Sequence, residues 1–213
     1  MTTRLLLVRH GATALTADDR FAGSTDVPLG PDGLWQAERL RDRLASAPIV
    51  AAYSSGMQRA VQTATLVAAP HPVRLSLHDG LREVDHGRWE GLRRDEVQAR
   101  HPDEYRAWEL DPLACAPTGG ETGAQVLARG LEAIVEIVRA HPDQTVLVVS
   151  HKATIRLVVA ALLGFEPRTY RDRLDQQPAC LNVLDFRSQT EARLLLFNDV
   201  SHYATTVRPR VDA

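Results

Sequence analysis

Residues 5–11 read LLLVRHG, a run of four apolar residues followed by Arg9, His10 and Gly11. A short apolar run that ends in charge predicts a strand buried on both faces, as in parallel sheets. Such a strand would deliver an imidazole, a guanidinium and a flexible backbone position to its carboxyl end, where open α/β sheets gather ligand sites. We interpret the triplet as part of a phosphate-handling active site.

Outward from this strand, predicted strands and helices alternate along the chain, which favours an α/β fold with a sheet covered on both faces. Apolar runs predict strands at 4–8, 49–53, 73–77, 145–149, 181–186 and 192–197. Helical periodicity predicts helices at 32–47, 57–69, 93–101, 102–110, 122–140 and 153–163. The segment from about 85 to 120 is the least regular and is a candidate cap over the site.

The composition is that of an ordinary globular protein of 213 residues, a length compatible with one large α/β domain. A net charge of -2 and an isoelectric point near 6.4 provide no long-range field toward nucleic acid or an anionic membrane. No apolar run approaches the roughly 20 residues that span a bilayer, and the first one is too short for a secretory signal. Cys115 and Cys180 lack metal-ligand spacing and fit a reducing compartment. We therefore expect a cytoplasmic protein that binds neither nucleic acid nor membrane.

The segment that follows the second predicted strand carries Arg59 and Gln62 in the first turns of a helix. Helix amide ends favour anions, and the preceding Ser54 and Ser55 are natural caps. On this segment alone, a surface arginine on a helix is an equally good interpretation.

Two more segments carry ionisable groups. A glycine-bounded loop contains Glu83 and His86; such loops are usually solvated, but this one can also supply an acid. His151 follows the strand predicted at 145–149, just as His10 follows the first strand. Two histidines at matching strand ends are hard to explain as packing alone.

Together these segments resemble the histidine phosphatase superfamily, the phosphoglycerate mutase-like proteins, over nearly the whole chain. The resemblance implies an α/β, three-layer phosphoglycerate mutase-like fold, with a mostly parallel central sheet, helices on both faces and a small cap region. It implies a single domain over residues 1–213 with a cap-like insertion at about 85–120, and it allows a homodimer. It also implies catalysis through a phosphohistidine, with no metal and no cofactor.

By match of motif, His10 corresponds to the nucleophile and Glu83 to the proton donor and acceptor. Arg9, Arg59 and His151 correspond to the phosphate pocket. Two arginines suit this task because guanidiniums grip phosphoryl oxygens in a fork geometry. An imidazole nucleophile needs an acceptor on its other nitrogen, and a nearby backbone carbonyl is the expected partner. Further substrate-binding positions are Gly11, Thr13, Thr16, Gln62, His86 and Lys152.

Two positions depart from the family pattern. Thr16 stands where the family often has asparagine, and Lys152 stands where a glycine commonly follows the late histidine. Lys152 is the only lysine in the chain, against 24 arginines. We hypothesise that it meets a substrate carboxylate, a second phosphate or Glu83; the alternative is a solvated lysine. For His86, substrate contact and a structural hydrogen bond are equally good interpretations.

The sequence favours a metal-independent phosphomonoesterase that hydrolyses a small phosphorylated metabolite. One alternative is a cofactor-dependent phosphoglycerate mutase, kept open by Arg88, Arg93 and Arg94 but disfavoured by the short segment between Glu83 and the late histidine. Another is a non-catalytic module that binds a phosphorylated ligand. A metal hydrolase is disfavoured, since none of the 8 histidines has ligand-like spacing near a carboxylate.

Overall fold

A central sheet organises the fold in the computed structural model, which describes residues 2–17 and 20–204. Its strands in that part of the chain lie in the order β3-β2-β4-β1-β5-β6. β1, β4, β2 and β3 are mutually parallel, whereas β5 runs antiparallel to both of its neighbours. The predicted mostly parallel sheet is confirmed. The strands are β1 Thr3–Arg9, β2 Ile49–Ser54, β3 Leu75–Leu77, β4 Thr145–Ser150, β5 Leu181–Phe186 and β6 Ala192–Asp199.

Helices pack on both faces of the sheet, as the resemblance implied. The long ones form two pairs, α2 with α3 and α6 with α7. None of the described helices combines the length and apolarity needed to cross a membrane. The helices are α1 Ala14–Ala17, α2 Pro31–Leu44, α3 Gln58–Ala68, α4 Arg94–Arg100, α5 Pro102–Leu110, α6 Gly123–Ala140, α7 Lys152–Leu162, α8 Tyr170–Arg173 and α9 Ser201–Ala204.

The apolar run of β1 is buried on both faces because its side chains alternate between two separate cores. Leu5 and Leu7 pack in the cluster beneath α6 and α7. Leu6 and Val8 pack in the cluster beneath α2 and α3. A strand that faces helices on both sides has no polar face, which explains the continuous apolar sequence.

The irregular segment between β3 and α6 carries α4, α5 and its own aromatic cluster. Trp89, Val97 and Trp108 are buried there together with Phe21, which comes from the loop after α1. Backbone hydrogen bonds join this loop to the segment, since the Phe21 N–H donates to the Leu92 carbonyl at 2.9 Å. The cap region is therefore built from two separate stretches of the chain.

Two predicted elements are shorter in the structure. The helix predicted at 32–47 ends at Leu44, because Pro48 disfavours helical backbone at Ala47. The strand predicted at 73–77 begins only at Leu75, because a turn in which the Val73 N–H donates to the His71 carbonyl precedes it. The short helices α1, α8 and α9 were not predicted, since four residues carry no measurable periodicity.

Candidate active site

The register of β1 against β4 brings the two strand-end histidines together. Arg9 lies opposite Ser150 in this parallel pair, so β1 and β4 end at the same level of the sheet. The His10 N–H then donates to the Ser150 carbonyl at 3.0 Å. The rings of His10 and His151 lie with their centroids 5.0 Å apart. The predicted pair of matching histidines is thus one site.

The hydrogen bond of His10 defines which ring nitrogen carries the proton. Its Nδ1 lies 2.7 Å from the Gly11 carbonyl oxygen, and a carbonyl can only accept. The neutral ring therefore keeps its proton on Nδ1 and a lone pair on Nε2. Burial, and then the charges of Arg9 and Arg59, hold the pKa of His10 well below its usual 6.5. The neutral, nucleophilic form is the form present at neutral pH.

Arg9 and Arg59 are buried guanidiniums held by backbone carbonyls. Arg9 Nη1 donates to the Gln176 carbonyl at 2.6 Å. Arg59 donates from Nη1 to the Thr25 carbonyl and from Nη2 to the Gly23 carbonyl, both at 2.8 Å. Burial lowers the pKa of both arginines from its usual value, yet guanidiniums stay protonated in proteins. Carbonyl partners orient these cations without neutralising them, which leaves their charge for an anion.

Arg9 also has an unsatisfied donor, since its buried Nε has no hydrogen-bond partner among the residues that the structure describes. An unpaired buried donor is costly, and natural structures keep few of them. Only 8% of the Arg9 surface is exposed, so bulk water does not solvate this atom. The group is preorganised for a ligand that brings an acceptor oxygen.

His151 is fully buried against His10. Its Nε2 lies 2.7 Å from the Ser55 hydroxyl, and its Nδ1 has no partner among the described residues. Burial, and then the neighbouring His10 and Arg59, hold its pKa well below the usual value. The ring is therefore neutral at pH 7 and retains an unpaired polar nitrogen beside His10.

The predicted role of the serines as caps of α3 is wrong. The residue that precedes α3 is Met57, and it makes no side-chain cap bond. Asp26 provides the cap instead, because its Oδ1 accepts from the Gln58 N–H at 2.8 Å. Ser55 is used by His151, and Ser54 donates to the Ser55 carbonyl.

Glu83 lies at the amino end of α7, where free amide N–H groups attract a carboxylate. Its two oxygens accept from the N–H groups of Ala153 at 3.1 Å and Thr154 at 3.2 Å. The Thr154 hydroxyl also donates to Glu83 at 3.2 Å. α7 follows His151 directly, so these bonds place the carboxyl group beside the histidine pair.

A cavity of about 420 Å³ opens over these groups, larger than a phosphate ion requires. Its walls come from the strand ends, the cap region and the loop before β5. Of the predicted site residues, Gly11, Gln62 and His151 do not line it. Those that line it are Arg9, His10, Thr13, Thr16, Arg59, Glu83, His86 and Lys152.

Gln62 and Gly11 make structural contacts behind the cavity wall. Gln62 Oε1 accepts from the Leu29 N–H at 2.8 Å. A side chain at Gly11 would place its Cβ 2.6 Å from the Gly33 carbonyl, so α2 approaches too closely for any other residue. In this conformation neither residue reaches the cavity.

Thr16, at the position where the family often has asparagine, has its hydroxyl 3.0 Å from that of Thr13. Both threonines belong to the cavity wall. This pairing keeps two hydroxyl groups at the rim beside the nucleophile.

His86 and Lys152 lie further out. The His86 ring packs edge-on against Phe21, with ring centroids 4.8 Å apart, and burial lowers its pKa. Its buried Nδ1 has no partner in the described part of the chain. Lys152 Nζ lies 3.5 Å from Asp175 Oδ1, an ion pair that the sequence did not predict. The hypothesised pairing of Lys152 with Glu83 is not formed.

The sequence also missed Arg129, a positioning residue on α6. Its guanidinium donates to the carbonyl oxygens of Gly80, Arg82 and Glu83, at 3.0, 2.6 and 2.9 Å. It also pairs with the Glu121 carboxylate at 2.8 Å. An arginine in the middle of an amphipathic helix gives no sequence signal that distinguishes it from a solvated one.

Within residues 2–17 and 20–204, no group of three or more His, Cys, Asp or Glu side chains is arranged to hold a metal ion. Arg9 and Arg59 place positive charge beside His10. Fold and site together define an enzyme of the α/β class whose buried histidine pair and two guanidiniums are suited to bind a phosphoryl group.

Comparison with known proteins gives the family. Residues 5–200 match the model of the histidine phosphatase superfamily (branch 1). The chain belongs to this superfamily and is a phosphomonoester hydrolase.

Named relatives are phosphatases. Phosphoserine phosphatase 1 of Hydrogenobacter thermophilus is 33% identical over 163 residues, which cover 76% of this chain and 77% of that protein. The adenosylcobalamin/alpha-ribazole phosphatase of Salmonella typhimurium is 34% identical over 184 residues, 85% of this chain and 90% of that protein. Among solved structures, Bacillus stearothermophilus YhfR superposes with a TM-score of 0.88 at 30% identity, covering 94% of this chain and 98% of that one.

Proposed function

We propose that the chain hydrolyses a small phosphorylated metabolite through a phosphohistidine on His10, without a metal ion. The observation that carries this proposal is the bond from His10 Nδ1 to the Gly11 carbonyl at 2.7 Å. It leaves the Nε2 lone pair free beside two guanidiniums that form no ion pair with a carboxylate of the described residues. The phosphatase activities named for the relatives in Hydrogenobacter and Salmonella support the same chemistry for this chain.

In the first step, the Nε2 lone pair of His10 attacks phosphorus, and the bond from phosphorus to the ester oxygen breaks. Arg9 and Arg59 bind the equatorial oxygens, where the charge of the transition state is spread. His151, which the resemblance assigns to the same pocket, does not line the cavity in this structure, and its ring supports the His10 ring from behind. Glu83 gives its proton to the leaving alkoxide, so that a neutral alcohol departs.

In the second step, water attacks the phosphohistidine from the side that the alcohol has left. Glu83, now a carboxylate, takes a proton from this water as the bond from oxygen to phosphorus forms. The bond from phosphorus to Nε2 breaks, and its electron pair returns to the ring. Inorganic phosphate leaves, and His10 and Glu83 return to their starting states.

The segment at about 85–120 acts in this proposal as a cap on a single domain of residues 1–213. Its aromatic side chains, with Phe21, form the outer wall through which the leaving group is selected. The relatives are named for phosphoserine and for alpha-ribazole compounds, so they do not share one leaving group. A cytoplasmic location and a homodimer stay predictions.

The test is phosphate release from a panel of phosphomonoesters in excess chelator. We expect turnover in the unaltered protein and its loss in His10→Ala. His101→Ala is the matched control, because His101 makes no side-chain cap bond between α4 and α5, and it should retain activity. Turnover that chelator abolishes, or that survives in His10→Ala, would contradict the proposal.

A second readout is the covalent intermediate. Rapid quenching with a radiolabelled substrate should trap label on the protein in an acid-labile, alkali-stable form, and His10→Ala should trap none. Phosphate transfer between the 2- and 3-positions of phosphoglycerate, faster than phosphate release, would favour the mutase. Ligand binding without a trapped intermediate or turnover would favour the binding module.

A further inference from the structure

Beyond the phosphate pocket, the cavity wall carries four more guanidiniums, and one differs from the rest. Arg156 makes no ion pair with any described residue. It donates from Nε to the Tyr170 carbonyl at 3.2 Å and from Nη2 to the Arg171 carbonyl. The others each have a glutamate within 3.6 Å; they are Arg20, Arg94 and Arg171.

Arg156 therefore resembles Arg9 and Arg59 rather than an ordinary surface arginine. Its guanidinium lies 5.2 Å from the centre of the Tyr170 ring, and only 9% of the residue is exposed. Two carbonyls and an aromatic face orient the group without cancelling its charge. Its Nη1 has no protein partner in the described part of the chain and belongs to a side chain of the cavity wall.

Lys152 shares this wall with Arg156, one helical turn earlier on α7. Residues four apart lie on the same helix face, and both line the cavity. The contact of Lys152 with Asp175 is loose, at 3.5 Å between half-exposed side chains, and such pairs contribute little. Burial, and then the charge of Arg9, lower the pKa of Lys152. A bound anion would offset both effects, because it stabilises the charged ammonium group.

We propose that Lys152 and Arg156 form a second anion subsite that binds a carboxylate of the substrate, outside the phosphate pocket. The inference rests on the proposed phosphatase function and names the class of leaving group, a phosphomonoester of a hydroxy acid. Two cations and one Asp175 carboxylate leave about one net positive charge, which matches a carboxylate better than a dianionic phosphate. Lys152 turns from Asp175 to the substrate when the substrate binds.

The test compares 3-phosphoglycerate with glycerol 3-phosphate, which differ only by a carboxylate in place of a hydroxymethyl group. We expect the unaltered protein to prefer 3-phosphoglycerate in kcat/KM by about tenfold or more, the size of one charge-assisted hydrogen bond. Lys152→Gln should bring this ratio toward one, and Lys152→Arg should restore most of it. A ratio near one in the unaltered protein, or one that Lys152→Gln leaves unchanged, would overturn the subsite.

Arg156→Gln should lower the same ratio, provided that thermal unfolding shows a folded protein. The control is Arg173→Gln, which removes an equal charge from an exposed residue of α8 that does not line the cavity. If the ratio falls equally in Arg173→Gln, the preference comes from the overall charge of the protein and not from a local contact, which would overturn the subsite. A preference for fructose 1,6-bisphosphate over fructose 6-phosphate that Lys152→Gln removes would overturn the choice of a carboxylate.

The outcomes separate the two proposals. If the unaltered protein hydrolyses no phosphomonoester of the panel, 4-nitrophenyl phosphate included, the proposed function fails. If a phosphomonoester is hydrolysed in a His10-dependent way but neither Lys152 nor Arg156 affects the ratio, only the carboxylate subsite fails.

Discussion

At the scale of single residues, the site depends on polar groups whose partners orient them without cancelling their charge. Arg9 and Arg59 donate to carbonyls, and another carbonyl fixes the proton of His10, the proposed nucleophile. Carboxylates in those positions would give stronger pairs but would compete with the phosphate. The arrangement favours anion binding at the expense of local stability.

Glu83→Gln tests proton transfer at this scale. The amide cannot give a proton to the leaving oxygen, so we expect an alkyl phosphate to lose turnover by about 100-fold. An aryl phosphate such as 4-nitrophenyl phosphate, whose leaving group needs no proton, should lose much less. Steady-state kcat on both substrates measures this, and equal slowing would count against the assigned role.

Gly33→Ala tests the close approach of α2 to the loop that carries the nucleophile. A Cβ at Gly33 would lie 2.1 Å from the Ala12 carbonyl oxygen, a backbone atom that cannot move aside as a flexible side chain would. We expect a loss of about 2 kcal/mol in the free energy of unfolding, as for other overpacked positions. Urea unfolding measures the change.

The matched control is Gly56→Ala, because a Cβ there would meet nothing within 4 Å. This variant should be neutral or slightly more stable, since alanine restricts the unfolded chain. Equal losses in the two variants would show that the contact between α2 and the loop is not the cause.

At the scale of elements, α6 holds the loop that carries Glu83. Arg129 bonds three successive parts of this loop and the Glu121 carboxylate, and Glu121 in turn accepts from the Asp85 N–H at 3.0 Å. α7 receives the Glu83 carboxylate at its amino end. Glu83, the proposed acid, is therefore positioned between two helices that lie on one face of the sheet.

Arg129→Ala tests this arrangement. The loop loses its donors and Glu121 loses its cation, so we expect kcat on alkyl phosphates to fall about tenfold or more, while 4-nitrophenyl phosphate is affected less. Arg139→Ala, at an exposed position on α6, is the control and should behave as the unaltered protein. A purely structural role would slow both substrates alike.

At the scale of the whole molecule, burying neutral histidines makes stability depend on pH. Burial is the main cause that lowers the pKa of both His10 and His151. Below the unfolded value of about 6.5, the unfolded chain binds protons that the folded protein does not. Stability is therefore present above this pH and falls as the pH decreases.

We expect each of these histidines to cost about 1.4 kcal/mol of unfolding free energy between pH 7.5 and pH 5.5. Carboxyl groups of the unfolded chain titrate mostly below this window. Urea unfolding at several pH values measures the loss of unfolding free energy. His10→Ala should remove the part of this loss that one histidine contributes. Stability that is flat over this range would contradict the buried neutral state.

Much of the fold was predictable because it depends on local patterns. The predicted β5, residues 181–186, matches the structure, and the strands and long helices elsewhere differ by only a few residues at their ends. The apolar run before Arg9 has no polar face, which requires cover on both sides of the sheet. The predicted ends of helices and strands were wrong where a proline or a turn competed with the periodicity, as at Ala47.

The candidate site was predictable only where a motif names its residues. Ser55, Gln176 and Arg129 support His151, Arg9 and Glu83, and none of them stands in a recognisable pattern. Their partners lie far away along the chain, and backbone carbonyls carry no sequence signature at all.

The sequence by itself determined the alternation of strands and helices, the family, and the presence of an arginine and a histidine at the end of β1. Only the tertiary structure decided that β1 pairs with β4, which places the His10 and His151 rings 5.0 Å apart. It also gave Arg156 no carboxylate partner among the described residues and placed Lys152 3.5 Å from Asp175. The physical reason is that periodicity and motifs are local, whereas strand order, register and charge pairing depend on contacts between distant parts of the chain.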